Sequence, residues 1–141
     1  MIGLVLITHG TLSQVLVETV SMIMGPQTDL TAITFSARES VETLRQKAFD
    51  AIAPYRETGC LIMTDVLGGS ATNICVELLK TDNIRVITGV NLPMVMEAAN
   101  HRNTTDVTAL AQRAREGAMR GVIDLKAFYE ERMAKKKAPS A

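Results

Sequence analysis

Four short apolar runs rich in β-branched residues, at 2–8, 30–35, 59–64 and 85–90, alternate with stretches whose apolar residues recur at helical spacing. Strands separated by that much chain cannot be joined as tight hairpins, and a helical crossover makes the neighbouring strands parallel. A parallel sheet must be covered on both faces, which explains why these runs are continuously apolar rather than alternating. The expected architecture is an α/β fold: an open, mostly parallel sheet in the order 2-1-3-4 with helices on both faces. Residues 122–125, Val-Ile-Asp-Leu, read as a last edge strand.

The helices are marked by their stops and starts. The first begins after Gly10, carries Leu12, Val15, Leu16, Val20, Ile23 and Met24 on one face, and ends at Gly25-Pro26. Ser36 and Glu39 have capping-box spacing ahead of Val41, Leu44, Ala48 and Ile52. Ser70 is positioned to cap a third helix and Thr105 a fifth, while Asn91 and Pro93 open the fourth.

A chain of 141 residues holds one domain with a core large enough to need no staples. No interior linker or repeat divides it, so residues 1–127 form the expected domain and 128–141 an extension. From Ala134 onward the chain has too few apolar groups to pack and is expected to be disordered.

Fifteen basic and fifteen acidic residues cancel, which leaves no electrostatic footprint for nucleic acid. Cys60 and Cys75 sit in apolar runs with no metal-ligand spacing around them and read as reduced core residues. The N-terminal apolar run lacks a basic flank and is too short for a signal peptide, and no run approaches the roughly 20 apolar residues of a membrane span. A cytoplasmic protein without membrane insertion is expected.

In an open α/β sheet, ligands collect at the carboxyl ends of the strands. Three polar signals fall there: Thr8-His9-Gly10-Thr11, Asp65 followed by Gly68-Gly69-Ser70, and Gly89-Val90-Asn91-Leu92-Pro93. His9 stands beside a helix start, where unpaired N–H groups favour an anion. With its Nδ1–H held by a carboxylate, a neutral imidazole presents Nε2 as a nucleophile. Asp65 is the matching carboxylate, because strands one and three are neighbours in the expected order. Position alone also allows His9 simply to bond a loop carbonyl, and allows Gly68-Gly69-Ser70 to be a turn rather than a phosphate cradle. His101, in a polar turn, reads as a surface histidine.

Several chemistries fail on spacing. Neither GxxxxGK[ST] nor GxGxxG occurs, so no P-loop or dinucleotide fingerprint is available. Ser70 lacks the trailing glycine of a nucleophile elbow, and Thr8-His9 stands where a phospho-aspartate receiver needs an acidic pair. His9 and Asp65 have no convincing third ligand for a metal. A nucleophilic imidazole, an orienting carboxylate and glycine-rich helix starts remain, which suits covalent phosphoryl carriage.

Ile7-Thr8-His9-Gly10, Asp65-Val66-Leu67-Gly68-Gly69-Ser70 and Gly89-Val90-Asn91-Leu92-Pro93-Met94, in that order, resemble the enzyme IIA domain of the mannose family of the bacterial phosphoenolpyruvate-dependent sugar phosphotransferase system. The resemblance runs over residues 2–125. It implies that His9 accepts a phosphoryl group on Nε2 from the phosphocarrier protein HPr and passes it to a separate IIB protein, with Asp65 holding the other ring nitrogen. It further implies a homodimer, with the strand at 122–125 running antiparallel and helping to form it. No metal or cofactor is implied. Backbone amides at Gly10, Thr11, Gly69 and Ser70 are the candidate phosphate cradle. Leu67 and Ala71 depart from the aromatic and the proline that many relatives carry at these places, which bears on partner specificity. The alternatives are a regulatory binding module controlled by phosphorylation, the phosphotransfer subunit of a dihydroxyacetone kinase, and a plain small-molecule binder in the same crevice.

Overall fold

The computed structural model describes residues 1–137. Strands β1 (Gly3–His9), β2 (Leu30–Phe35), β3 (Cys60–Thr64) and β4 (Ile84–Ile87) alternate with helices α1 (Leu12–Met24), α2 (Val41–Ile52), α3 (Gly69–Leu78) and α4 (Leu92–His101), followed by α5 (Val107–Arg120) and α6 (Leu125–Lys137). The sheet is parallel throughout, in the order β2-β1-β3-β4. The sequence expectation for order and handling of both faces is met.

The central strands carry the core. Leu4, Leu6, Leu61 and Met63 point to the face covered by α1, α4 and α5, where they meet Leu16, Val20, Met94, Val95 and Leu110. Val5, Ile7, Cys60 and Ile62 point to the other face, against Leu44, Ala48, Ile52, Ile74 and Leu78 of α2 and α3. Every residue of β3 is buried, and so is all of β1 except its last residue, His9. Burial along β1 thus stops where the strand presents the His9 imidazole.

Helix starts differ in detail from the sequence expectation. Ser40, not Ser36, caps α2, its Oγ accepting the Thr43 N–H at 3.1 Å, while Ser36 closes a turn by accepting the Glu39 N–H at 3.1 Å. Asp106 rather than Thr105 caps α5, and Gly68 rather than Ser70 caps α3. Asn91 caps α4, with Pro93 in the first turn, as expected. On α1 the buried set is Ser13, Leu16 and Val20, whereas Leu12, Val15 and Ile23 are exposed. Ser13 can face inward because its Oγ donates to the Ile33 carbonyl at 2.9 Å. Strand β4 ends at Ile87 instead of Val90, because Gly89 at φ 78° turns the chain back toward β3.

The largest correction lies at the C-terminus. Among the described residues the sheet has four strands, and the expected C-terminal antiparallel edge strand at 122–125 is not formed. Residues 122–124 are irregular and Leu125 begins α6. Asp124 explains the switch: its Oδ1 accepts the Ala127 N–H at 3.2 Å, the N-cap geometry that starts a helix. Helix α6 buries no residue. It is built from good helix formers and carries i,i+4 pairs between Lys126 and Glu130 and between Glu131 and Lys135. Residues 134–137, expected to be disordered for want of apolar groups, are helical because local propensity suffices there. The rest of that expectation, at 138–141, lies outside the described residues, and the expected boundary at 127 falls inside α6.

Candidate active site

Adjacent strands place the two central residues. Ile7 pairs with Thr64 in the last register of β1 and β3, so His9 and Asp65 leave the sheet side by side. Asp65 Oδ2 lies 2.9 Å from His9 Nδ1 and accepts the His9 backbone N–H at 2.9 Å. Its Oδ1 accepts the Val66 N–H at 2.9 Å and lies 3.1 Å from the same ring nitrogen. Burial alone would raise the Asp65 carboxyl, but hydrogen bonds from the His9 backbone, the His9 ring and the Val66 backbone outweigh it and hold the group below its ordinary value. An ionised carboxylate only accepts, so in the neutral imidazole the proton is assigned to Nδ1 and the lone pair to Nε2. His9 is 49% exposed and Asp65 14%, so the imidazole is open to the surface while the carboxylate beside it is shielded.

The neighbouring loops are tied down by side chains that sequence reasoning did not single out for this role. Thr8 Oγ1 accepts the Ser13 N–H at 2.6 Å, serving the start of α1, whose Thr11 N-cap position makes no side-chain capping bond. Thr72 Oγ1 accepts the Gly68 N–H at 2.9 Å and lies within 3.2 Å of the Val66 carbonyl and 3.0 Å of the Gly68 carbonyl, pinning the turn between Asp65 and α3. That turn needs glycine for its backbone, with φ 111° at Gly68 and 79° at Gly69. Phe35 meets the His9 ring edge-to-face, with ring centroids 6.0 Å apart. A buried polar pair such as Thr8 and Ser13 leaves no period-based signal. Thr72 had one: a hydroxyl four residues after Gly68, where it can reach back to a helix start.

Of the expected cradle, Gly10 is removed. Its N–H donates to the Phe35 carbonyl at 2.8 Å and is not free for an anion. The amides of Thr11, Gly69 and Ser70 have no acceptor among the described residues. The third motif acts from behind: Gly89 and Val90 donate to the carbonyls of Asp65 and Thr64 at 2.8 and 2.9 Å, fixing the backbone that carries the carboxylate. His101 pairs with Glu97 at 3.3 Å, at the far end of α4 from its Asn91 cap. Among the described residues no three His, Cys, Asp or Glu side chains come together as a metal site, and no helix is long and apolar enough to cross a membrane.

Comparison with known proteins follows the same line. The sequence model of the EIIA-man family, described as the PTS system fructose IIA component, matches residues 3–115. The sorbose-specific EIIA component of Lacticaseibacillus casei is 32% identical over 76% of this chain and 78% of its own length. The mannose-specific EIIAB component of Escherichia coli K12 is 33% identical over 99% of this chain, and this chain spans 44% of that protein. Among solved structures, a phosphotransferase system EIIA component from Streptococcus agalactiae superimposes with a TM-score of 0.84 at 26% identity, covering 90% of this chain and 99% of the other. None of these matches favours the regulatory-module or dihydroxyacetone-kinase readings. A strand-end histidine oriented by a carboxylate therefore stands in a chain that belongs to the PTS fructose IIA component family, the phosphotransfer components of sugar uptake by the phosphotransferase system.

Proposed function

We propose that His9 is the phosphoryl acceptor of this chain, taking the group on Nε2 from phospho-HPr and passing it to a separate IIB protein. The observation that carries this is the 2.9 Å contact from His9 Nδ1 to Asp65 Oδ2, which in the neutral imidazole assigns the proton to Nδ1 and the lone pair to Nε2 of a half-exposed ring. In the transfer, the P–N bond of the donor histidine breaks as the Nε2–P bond forms, and the electron pair of the broken bond returns to the donor ring. The Nδ1 proton stays on His9, and Asp65 balances the positive charge that the phosphorylated ring acquires. Such a transfer has little bonding at its midpoint, so positioning and charge stabilisation supply the rate. Amides of Thr11, Gly69 and Ser70 are the proposed cradle for the phosphoryl oxygens.

A protein donor suits this surface. The chain just after His9 and Asp65 carries Leu12, at the start of α1, and Val66 and Leu67, all exposed, which is apolar area for a macromolecule to cover. Within this reading, residues 1–127 are the IIA domain, placed in the cytoplasm, and the chain is a homodimer. The dimer is supported by the open outer edge of β4 and by exposed Val122, Ile123 and Leu125, apolar area that a second copy can cover. Intact-mass spectrometry at mildly alkaline pH, after incubation with phosphoenolpyruvate, enzyme I and HPr, tests the central claim. One acid-labile phosphoryl group is expected on the wild type and none on His9→Ala; equal labelling of both would refute the assignment.

A further inference from the structure

We propose that Phe35 is a positioning residue for the reaction at His9, its ring fixing the tilt of the imidazole that Asp65 leaves free. The proposal rests on His9 being the phosphoryl acceptor. Strand β1 lies between β2 and β3, and His9 is the register partner of Phe35. The imidazole therefore stands between two residues: Asp65 on the β3 side and Phe35 on the β2 side. Asp65 sets where Nδ1 sits, but both of its oxygens meet the same ring atom, which leaves the ring able to turn about that contact, since the second torsion of histidine is broad. An aromatic ring at 6.0 Å and an interplanar angle of 71° restricts that turn, because edge-to-face geometry is the favoured one.

Phe35 is itself held. Its carbonyl accepts the Gly10 N–H at 2.8 Å in an isolated antiparallel bridge, just past the last residue of β1. Its side chain packs against the α2 and α3 side of the core. The same backbone contact that removes Gly10 from the cradle locks the aromatic wall to the histidine. In-line attack on phosphorus is sensitive to the direction of the Nε2 lone pair, and a misplacement of about 1 Å costs on the order of 100-fold in rate.

Phe35→Leu and Phe35→Tyr test this, with His9→Ala as control. Before any phosphorylation, the His9 ring protons of the wild type should show nuclear Overhauser contacts to the Phe35 ring and ring-current displacement, both lost in Phe35→Leu; a wild type without those contacts overturns the proposal even if the leucine variant fails to fold. In single-turnover loading from phospho-HPr, Phe35→Leu should be roughly 10- to 100-fold slower, with Phe35→Tyr close to wild type. Wild-type loading by Phe35→Leu overturns the proposal whatever its resonances do. Failure of tyrosine to restore the rate assigns the loss to packing and overturns it as well. A wild type that takes no phosphoryl group from charged HPr, with its ring contacts intact, refutes the acceptor reading itself and with it the role assigned to Phe35.

Discussion

Asp65 holds His9 at two points: its Oδ2 accepts the backbone N–H of His9 at 2.9 Å and faces His9 Nδ1 at 2.9 Å. One carboxylate thereby fixes both where the residue leaves the strand and where its Nδ1 sits. The Gly89 N–H, donating to the Asp65 carbonyl at 2.8 Å, steadies the residue from the turn that follows β4. Three strands converge on one imidazole, with β2 adding Phe35 from the other flank.

Asp65→Asn keeps the shape and removes the charge. The amide can turn either its oxygen or its nitrogen toward Nδ1, so the ring loses its enforced tautomer and the phosphorylated ring loses its counter-charge. The expected result is a folded protein whose loading rate falls by roughly 100-fold or more. Rapid-quench loading measured by intact mass decides it, and a loss smaller than twofold would show that the carboxylate does not matter.

The depressed Asp65 carboxyl couples folding to acid. A carboxyl whose folded value lies below its ordinary 3.8 binds fewer protons folded than unfolded, so its contribution is present above the unfolded value and is lost as pH falls through the folded one. Wild type should therefore lose stability relative to Asp65→Asn as pH drops from about 5 through that range. Urea unfolding of both proteins between neutral and acid pH measures the difference, and parallel curves would remove the linkage.

Thr72 pins the glycine turn through one hydroxyl that serves the Gly68 N–H and faces two carbonyls. Thr72→Val leaves those groups to solvent and should cost about 1–2 kcal/mol, together with slower loading as Gly69 and Ser70 drift. Thr72→Ser should recover most of both. Unfolding midpoints and loading rates of the pair check this, and an unaltered Thr72→Val would mean that the two glycines hold the turn unaided.

The fold and the central pair were legible in the sequence for a physical reason. Apolar runs at 2–8 and 59–64 cannot be anything but buried parallel strands once helical stretches separate them, and neighbouring strands must deliver His9 and Asp65 to one edge. Cap choice was less legible, because Ser36 and Ser40 both precede α2 and only the chain's path selects between them. The run at 122–125 has strand composition, yet Asp124 also satisfies a helix start, and β4 of the same chain does not take it up. Gly10 shows the limit most plainly: its sequence position fits an anion site, but the Phe35 carbonyl claims its N–H in an isolated bridge past the end of β1, which strand order alone does not specify.

The two cysteines offer a last test, of the core that supports the site. Cys60 is in β3 and Cys75 in α3, both buried on the same side of the sheet. Burial pushes the Cys60 thiol up to about 12 and the Cys75 thiol up to about 11, so neither forms thiolate at neutral pH in the folded state. Native protein should resist alkylation at pH 8, and both thiols should react together on unfolding, at a rate that follows the opening equilibrium. The same shifts carry a sign: acids raised on folding stabilise below their unfolded values and lose that contribution as pH rises toward the folded ones. Tyr55, raised to about 12 by burial and by its hydrogen bond to Asp29, adds to the effect. Thermal midpoints should therefore decline above about pH 9, and less steeply in Cys60→Ala. Rapid native alkylation of Cys60, or a midpoint flat through pH 11, would show that the strand beneath Asp65 is far looser than its complete burial implies.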